Sequence, residues 1–281
     1  MIGEFIDSWP LFHNAYLAGW LIGVLLAFVG VVVVARSQIF IGAAVAQSST
    51  LGIALGMWVG SRLGAETLSG DHAHGLLSLI GIVFAVAAAV FTARGGAGGA
   101  REAATGWVFL AAASLSIVVL SHSPHGLEEI NHLVSSSIIG ARDIDVWVFG
   151  ALVLISAGAV AALRDRLILF AIDAEMAAAV GMRTGVWNIG LAVWLGLVVG
   201  GAMRAAGLLY TFGSLVLPAL AATALCRETR SLFVVAPLLA LLAGVVGFVL
   251  ANHSDDPPGQ MAVVVQAVMV AAAWGVRRWR R

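Results

Sequence analysis

The chain has 281 residues, of which 61% are hydrophobic and 11% are charged, and its mean hydropathy of +1.01 lies well beyond that of a soluble domain. Basic and acidic side chains balance to a formal net charge of zero, so bulk attraction to nucleic acid is not indicated and we expect no nucleic-acid partner. The single cysteine, Cys226, excludes an internal disulfide and a thiolate metal cage.

Charged residues fall in regularly spaced breaks between apolar segments. A bilayer core requires about 20 apolar residues per helix, and lipid offers the backbone no hydrogen-bond partner outside the helix. The sequence therefore predicts an all-α, polytopic membrane protein, with one transmembrane domain over residues 1–281 and about nine spans. The predicted spans are Tyr16–Ala35, Ile39–Gly60, Gly75–Thr92, Ala103–Ser121, Val146–Leu163, Val186–Met203, Gly207–Leu225, Leu232–Ala251 and Gln260–Val276.

The boundary between the sixth and seventh predicted spans lies in one long apolar stretch. From Val186 to Leu225 this stretch is about twice the length that one membrane crossing needs. Arg204 and the nearby glycines, including Gly207, indicate a tight turn at this point. A broken or re-entrant helix is the alternative.

Arginine residues are divided unequally between alternate loops. One set of loops holds twelve of the fifteen arginines, whereas the other set holds Arg62, Arg142 and Arg204 and all seven histidines. Basic loops stay on the cytoplasmic side of a membrane. We therefore expect the N-terminus outside and the C-terminus in the cytoplasm, where the arginines after Val276 would contact anionic lipid.

A short polar loop on the expected cytoplasmic side carries the signals of a capped helix. Asp173 is suited to the N-cap, Glu175 falls in the first turn, and Gly181 is suited to the C-terminal cap. The spacing predicts a short helix at the membrane surface between two spans. By itself, this pattern is typical of an interfacial connector.

Several segments, in the same order along the chain, resemble one known family. The sequence FAIDAEMAAAVGM (Phe170–Met182) is similar to the cytoplasmic coupling segment of permeases from the metal-type ATP-binding cassette (ABC) importers. Four other segments resemble the same family. Leu26–Gly56 matches the layout of its first two spans, and Leu133–Asp145 falls where it has a loop ending in Asp. Gly207–Leu225 is similar to its span with a Leu-Pro-Ala centre, and Ser254–Met269 is similar to its last loop and final span, with a Pro-Pro-Gly turn.

The resemblance implies a membrane-spanning permease in a bacterial inner membrane, paired with a second copy or a paralogue. Each permease would dock to a cytoplasmic ATPase subunit, here through Asp173, Glu175, Ala178 and Gly181, and an extracytoplasmic metal-binding protein would deliver zinc, manganese or iron. The chain lacks a phosphate-binding GxxxxGK[ST] motif, so it is not itself the ATPase. We therefore expect a transport subunit rather than an enzyme, with ATP in the partner, no cofactor of its own and a divalent metal as cargo.

The second span departs from the family pattern. Members usually carry Gly-Asp-(small)-x-x-His there, so that a carboxylate and an imidazole on one helix face reach a metal. Here Ala43 stands at the Asp position and Gln47 at the His position. The chain is then the ligand-poor half of a heterodimer, or binds its ion with other groups, or transports a metal chelate or a small organic molecule.

Two other groups of polar residues are candidates for contact with the cargo. The pathway candidates are Gln47, Ser48 and Thr50 in the second span, for which hydrogen bonding between helices is an equal alternative. In an outer loop, His125, Glu128, Glu129 and His132 share one face if the segment is helical, and imidazole with carboxylate suits zinc, manganese or ferrous iron. The alternative for this loop is a solvated amphipathic segment that faces the binding protein.

Two other classes of membrane protein fit the sequence less well. An intramembrane enzyme would need a motif such as HExxH or GxSxG, and neither occurs. An ion-coupled secondary transporter usually buries a carboxylate near the centre of a span, whereas every Asp and Glu here falls near a loop or a span end.

Overall fold

The structure is a computed structural model that describes residues 2–62, 71–95, 98–122 and 138–279. These residues form nine α-helices and one 3₁₀ turn, Ile138–Gly140, and no strand occurs among them. The helices are α1 (Ile2–Ala35), α2 (Ile39–Arg62), α3 (Asp71–Arg94), α4 (Gly99–Ser121), α5 (Asp143–Ile172), α6 (Ala174–Ala179), α7 (Thr184–Leu225), α8 (Thr229–Ser254) and α9 (Pro258–Trp279). The predicted all-α membrane fold is confirmed.

Eight of the helices in the described part of the chain are long and apolar enough to cross a membrane. The longest, α7, has 42 residues and contains one residue outside the helical region, Gly207, with φ 77° and ψ 173°. A straight helix of this length would extend about 63 Å, roughly twice the thickness of the hydrocarbon core. Residues 184–206 and 208–225 are thus two helices joined at Gly207. The break predicted near Arg204 is present, as a kink at one glycine rather than as a loop.

Two helices extend well beyond the predicted spans. The first, α1, begins at Ile2 rather than near Tyr16, and α5 continues through the polar residues 164–166 as far as Ile172. A salt bridge of 3.2 Å joins Arg230 at the start of α8 to Asp165 within α5. Apolar composition indicates only the part of a helix that lies in lipid. The composition therefore did not predict the parts of α1 and α5 that extend beyond it.

The helices group into two compact units, each discontinuous in sequence. The first contains the described residues of Met1–Ser37, Ser137–Thr184 and Ala205–Arg281, and the second those of Gln38–Ser136 and Gly185–Arg204. Within the described ranges, the chain passes from one unit to the other after Ser37, after Thr184 and after Arg204, and it also changes unit between the ranges 98–122 and 138–279. The single membrane domain over 1–281 stays a prediction.

In the first unit, α1 packs against α5 and α8, and α8 packs against α9. The Tyr210 side chain is buried and donates a hydrogen bond of 2.8 Å from its hydroxyl to the Gly19 carbonyl oxygen. A second buried hydrogen bond, of 3.0 Å, joins Gln266 Nε2 to Ser214 Oγ, so α7 is linked to both α1 and α9. Because lipid cannot satisfy these groups, such bonds help to fix the positions of the helices.

In the second unit, α2 packs against both α3 and α4. Gly52 and Gly56, four residues apart on α2, bring its backbone close to Ile80 on α3. This is the close approach of small residues that lets membrane helices pack without a hydrophobic driving force. Asn188 Nδ2 donates a hydrogen bond of 2.6 Å to the carbonyl oxygen of Ala93, which links the first part of α7 to α3.

Candidate functional site

The predicted short helix between two spans is present as α6. It begins after Asp173, whose backbone is extended and whose Oδ1 accepts a hydrogen bond of 2.8 Å from the Met176 N–H. This bond satisfies one of the amide groups left without a partner at a helix start, so the predicted N-cap is confirmed. Glu175 lies in the first turn, where its negative charge is favourable next to the helix dipole.

The C-terminal end of α6 is closed by a glycine in the left-handed region. Gly181 has φ 87°, its N–H donates to the Ala178 carbonyl at 3.0 Å, and the Met182 N–H donates to the Ala177 carbonyl at 3.0 Å. This pair of bonds is a Schellman motif, which requires a residue that tolerates positive φ just beyond the cap. The predicted role of Gly181 at the helix end is confirmed, one residue beyond the cap residue Val180.

One side of α6 is fixed to the protein and the other is exposed. Ala177 is completely buried, whereas Glu175 and Ala178 are exposed. Met176 and Val180, one turn apart, are 56% and 61% exposed, and Ile172 just before the helix is 63% exposed. These apolar residues were not predicted as part of the site, although the spacing of four residues between them is visible in the sequence. A small apolar surface next to a carboxylate is suited to contact with another protein.

The end of α5 that leads into α6 is also well packed. Phe170 is 2% exposed, and the guanidinium carbon of Arg36 lies 4.4 Å from the centre of its ring. This distance is within the range of a cation–π interaction. This contact could not be predicted from sequence, because Arg36 and Phe170 are far apart along the chain.

The pathway candidates in α2 differ in how their polar groups are used. Ser48 Oγ donates to the Ala44 carbonyl at 2.9 Å, and Thr50 Oγ1 donates to the Ala46 carbonyl at 3.2 Å. Both hydroxyl donors are therefore bonded within their own helix. The amide of Gln47 is half-buried and has no recorded hydrogen bond within the described residues.

The two positions at which the family carries Asp and His lie on consecutive turns of α2. Ala43 is buried and offers no ligand atom, and Gln47 offers one amide oxygen. Among the residues that the structure describes, no three His, Cys, Asp or Glu side chains are grouped so that they could hold a metal ion. The outer-loop candidates His125, Glu128, Glu129 and His132 lie outside the described residues.

A set of long apolar helices with one short capped helix between two of them defines a polytopic membrane protein. The model of the ABC 3 transport family matches residues 8–276, and the chain belongs to this family. The resemblance to permeases of metal-type ABC importers is thereby confirmed.

Characterised relatives cover nearly the whole chain. The manganese import system permease protein ScaB of Streptococcus gordonii is 25% identical over 275 residues, which are 96% of this chain and 93% of that protein. The chelated iron transport system membrane protein YfeD of Yersinia pestis is 23% identical over 270 residues, covering 95% of this chain and 85% of that protein.

Solved structures share the fold. PsaBC from Streptococcus pneumoniae in complex with Fab superposes with a TM-score of 0.79 at 22% identity, covering 98% of this chain and 95% of the other. An inward-facing putative metal-chelate type ABC transporter superposes with a TM-score of 0.69 at 17% identity, covering 98% and 89%. The helical fold of this chain is therefore one already seen in solved structures.

Proposed function

We propose that this chain is the membrane-spanning subunit of an ATP-driven importer of a divalent transition metal, with manganese and iron as the leading cargoes. The family match over residues 8–276 supports this, as do relatives whose names specify manganese import and chelated-iron transport. The chain would act as a transport subunit, with ATP bound and hydrolysed by a separate protein.

The exposed, capped helix α6 is the observation that carries the proposal. A six-residue helix with both ends closed by hydrogen bonds holds Glu175, Met176, Ala178 and Val180 in a fixed arrangement on an exposed surface. We assign this surface, with Asp173 and Gly181 at its ends, to the docking of a cytoplasmic ATPase. ATP would then shift the permease between inward- and outward-open states by favouring one docked arrangement over the other.

For the cargo itself, Gln47 is the side chain of α2 best suited to contact with a metal. Its amide oxygen is a hard ligand of the kind that manganese accepts more readily than zinc does. One amide is a weak site, so we propose that further ligands come from a second permease, either a copy or a paralogue, or from His125, Glu128, Glu129 and His132. An extracytoplasmic metal-binding protein would deliver the ion.

Import of a metal chelate is the second candidate function. It is favoured by Ala43 and Gln47, because a chelated ion already has its ligands and needs no carboxylate or imidazole from the pathway. The name of YfeD specifies chelated iron, and the second solved structure is described as a putative metal-chelate type transporter.

The proposed location is a bacterial inner membrane, with the N-terminus outside and α6 in the cytoplasm. In this arrangement, the helix ends on the cytoplasmic side carry Arg36, Arg164 and Arg230. Basic residues are enriched on that side of a membrane. The exposed Trp279 with Arg277 and Arg278 at the end of α9 would contact interfacial and anionic lipid on that side.

The proposal is tested by the metal content of cells. Zinc, manganese and iron are measured in cells with and without the gene, each under limitation of one metal. We expect loss of manganese or iron that is restored by the intact gene but not by Ala178→Arg, which adds bulk and positive charge to the exposed face of α6. A matched control is Ala100→Arg, which makes the same change at an exposed position in the first turn of α4, outside the lipid and on the same expected side of the membrane as α6.

The outcomes separate the two candidate functions. Loss of one metal supplied as the free ion supports the metal importer. If cells without the gene have a lower metal content only when the metal is supplied as a chelate, the result supports import of a metal chelate. Unchanged content of all three metals under every supply, with the protein present in the membrane, contradicts both.

A further inference from the structure

The turn between α1 and α2 is attached to the segment that leads into α6. Arg36 is the residue after the end of α1, and its guanidinium carbon lies 4.4 Å from the ring centre of Phe170. Phe170 is 2% exposed and stands three residues before Asp173, the N-cap of α6. The contact therefore joins the α1–α2 turn to the base of the proposed docking helix.

The residues around Phe170 form a packed structure rather than a loose end. Leu167 and Ala171 are buried on the same part of α5, and Ala177 of α6 is completely buried. The Asp173 N–H donates to the Leu169 carbonyl at 2.9 Å, so α5 is hydrogen-bonded up to the cap itself. A closely packed interior transmits displacement, so movement of α6 would move the Phe170 ring.

On the other side of the contact, the backbone changes direction immediately after Arg36. Ser37 has φ 55°, which is unusual for a residue with a side chain, and α2 begins at Ile39. The positions of interest for the cargo, Ala43 and Gln47, follow within the first three turns of α2. Positive φ at a non-glycine residue persists only where its surroundings hold it, and it is common at switch regions.

We propose that Arg36 is a positioning residue that, through the face of Phe170, transmits the position of α6 to the turn at the start of α2. A cation–π interaction acts only within about 6 Å of the ring centre, so the contact between Arg36 and Phe170 weakens when Phe170 moves away. The role of Arg36 rests on the proposed function, because it presupposes that an ATPase docks on α6. It adds a contact through which docking reaches the helix that carries Gln47.

The test uses the permease with its ATPase and binding-protein subunits in proteoliposomes and measures two rates. One is the release of phosphate from ATP, and the other is the accumulation of radioactive Mn²⁺. Removal of the contact by Arg36→Gln or by Phe170→Leu should lower the ratio of Mn²⁺ transported to ATP hydrolysed by about two- to thirtyfold, the range of coupling changes seen for residues that touch neither ligand. ATPase association and hydrolysis should persist.

Three comparisons distinguish transmission from a general loss of structure. The double variant Arg36→Gln/Phe170→Leu should be no worse than either single variant, because both remove the same contact. Arg36→Lys, which keeps a cation over the ring, should retain most of the ratio. Arg230→Gln removes a positive charge whose salt bridge to Asp165 is exposed, and it should leave the ratio unchanged.

Two results would overturn the role of Arg36. An unchanged ratio in Arg36→Gln and Phe170→Leu would do so, as would strictly additive losses in the double variant. If Arg36→Gln does not assemble, Phe170→Leu decides alone, because it removes the ring and keeps an apolar side chain of similar size. Failure of the wild-type chain to bind any ATPase contradicts the proposed function instead, and so the two failures are distinguishable.

Discussion

The α-carbon of Gly30 in α1 lies directly against the carbonyl oxygen of Leu215 in α7. A methyl group at Gly30 would overlap this oxygen, and the carbonyl belongs to the backbone, so it cannot turn away as a side chain could. The two helices thus approach at van der Waals distance at the level of a buried leucine, three residues before Pro218. Such close contact between backbones is how membrane helices associate.

Gly30→Ala should therefore destabilise the protein. Overpacking of a tight interior typically costs about 1–3 kcal/mol. The matched control is Gly158→Ala on α5, where nothing lies within 4 Å of the added methyl group and alanine is the better helix former. Thermal unfolding in detergent, monitored by size-exclusion chromatography of heated samples, should show a lower midpoint temperature for Gly30→Ala only. Equal midpoints for the two variants would refute this packing.

The cap of α6 should determine whether an ATPase can dock. Asp173→Ala removes the acceptor for the Met176 N–H and should cost the helix about 1 kcal/mol. Asp173→Asn keeps an acceptor at the same position and serves as the control. We expect ATPase co-purification to fall for Asp173→Ala and to be retained for Asp173→Asn, with both variants present in the membrane in equal amounts. Normal co-purification with the alanine variant would show that the capped geometry is not required.

Among the three pathway candidates, only Gln47 should matter for transport. Ser48→Ala and Thr50→Val each remove a hydroxyl donor that is already bonded to its own helix, so uptake should change less than about twofold. Gln47→Leu has a similar volume but no ligand oxygen and should reduce Mn²⁺ uptake by roughly tenfold or more, equivalent to about 1.4 kcal/mol. Uptake by Gln47→Leu at the wild-type rate would remove Gln47 from the pathway.

Cys226, just beyond the end of α7, provides a natural probe of orientation. Burial raises the pKa of the Cys226 thiol, so its thiolate fraction near neutral pH is smaller than that of an ordinary cysteine. Alkylation of Cys226 by a membrane-impermeant maleimide should be slow at neutral pH. As the pH rises, the alkylation rate of an ordinary cysteine reaches its maximum first, and the rate for Cys226 should continue to increase above that pH. Labelling is expected in inside-out vesicles and not in intact cells.

The control for this experiment is an exposed position at the opposite end of the protein. Asp7→Cys, in a Cys226→Ala background, should be labelled from outside in intact cells. Labelling of Cys226 from outside, or of position 7 only from inside, would reverse the proposed orientation.

The sequence predicted those features that depend on local composition and spacing. Apolar length predicted the spans, and the residue types at 173 and 181 predicted both ends of α6, because capping depends on side chains within a few residues of each other. The break in α7 was predicted from Arg204 and its glycines, but whether it is a loop or a kink depends on the φ of one residue, Gly207. Composition does not specify that angle.

Contacts between distant segments could not be predicted in the same way. Nothing in the sequence pairs Arg36 with Phe170 or Gly30 with Leu215, since each contact follows from the packing of complete helices. The hydroxyls of Ser48 and Thr50 appeared equivalent to the amide of Gln47 as polar groups in a span. Only the structure distinguishes a hydroxyl bonded to its own backbone from an amide that makes no hydrogen bond within the described part of the chain.

We propose that this chain moves a divalent metal when a separate ATPase hydrolyses ATP. The most direct measurement is ATP-dependent accumulation of radioactive Mn²⁺ and Fe²⁺ in proteoliposomes that contain the purified permease, ATPase and binding protein. We predict accumulation that requires ATP and is abolished by Ala178→Arg. Hydrolysis of ATP by the assembled wild-type complex without accumulation of either ion, free or chelated, would show that the chain is not a metal importer.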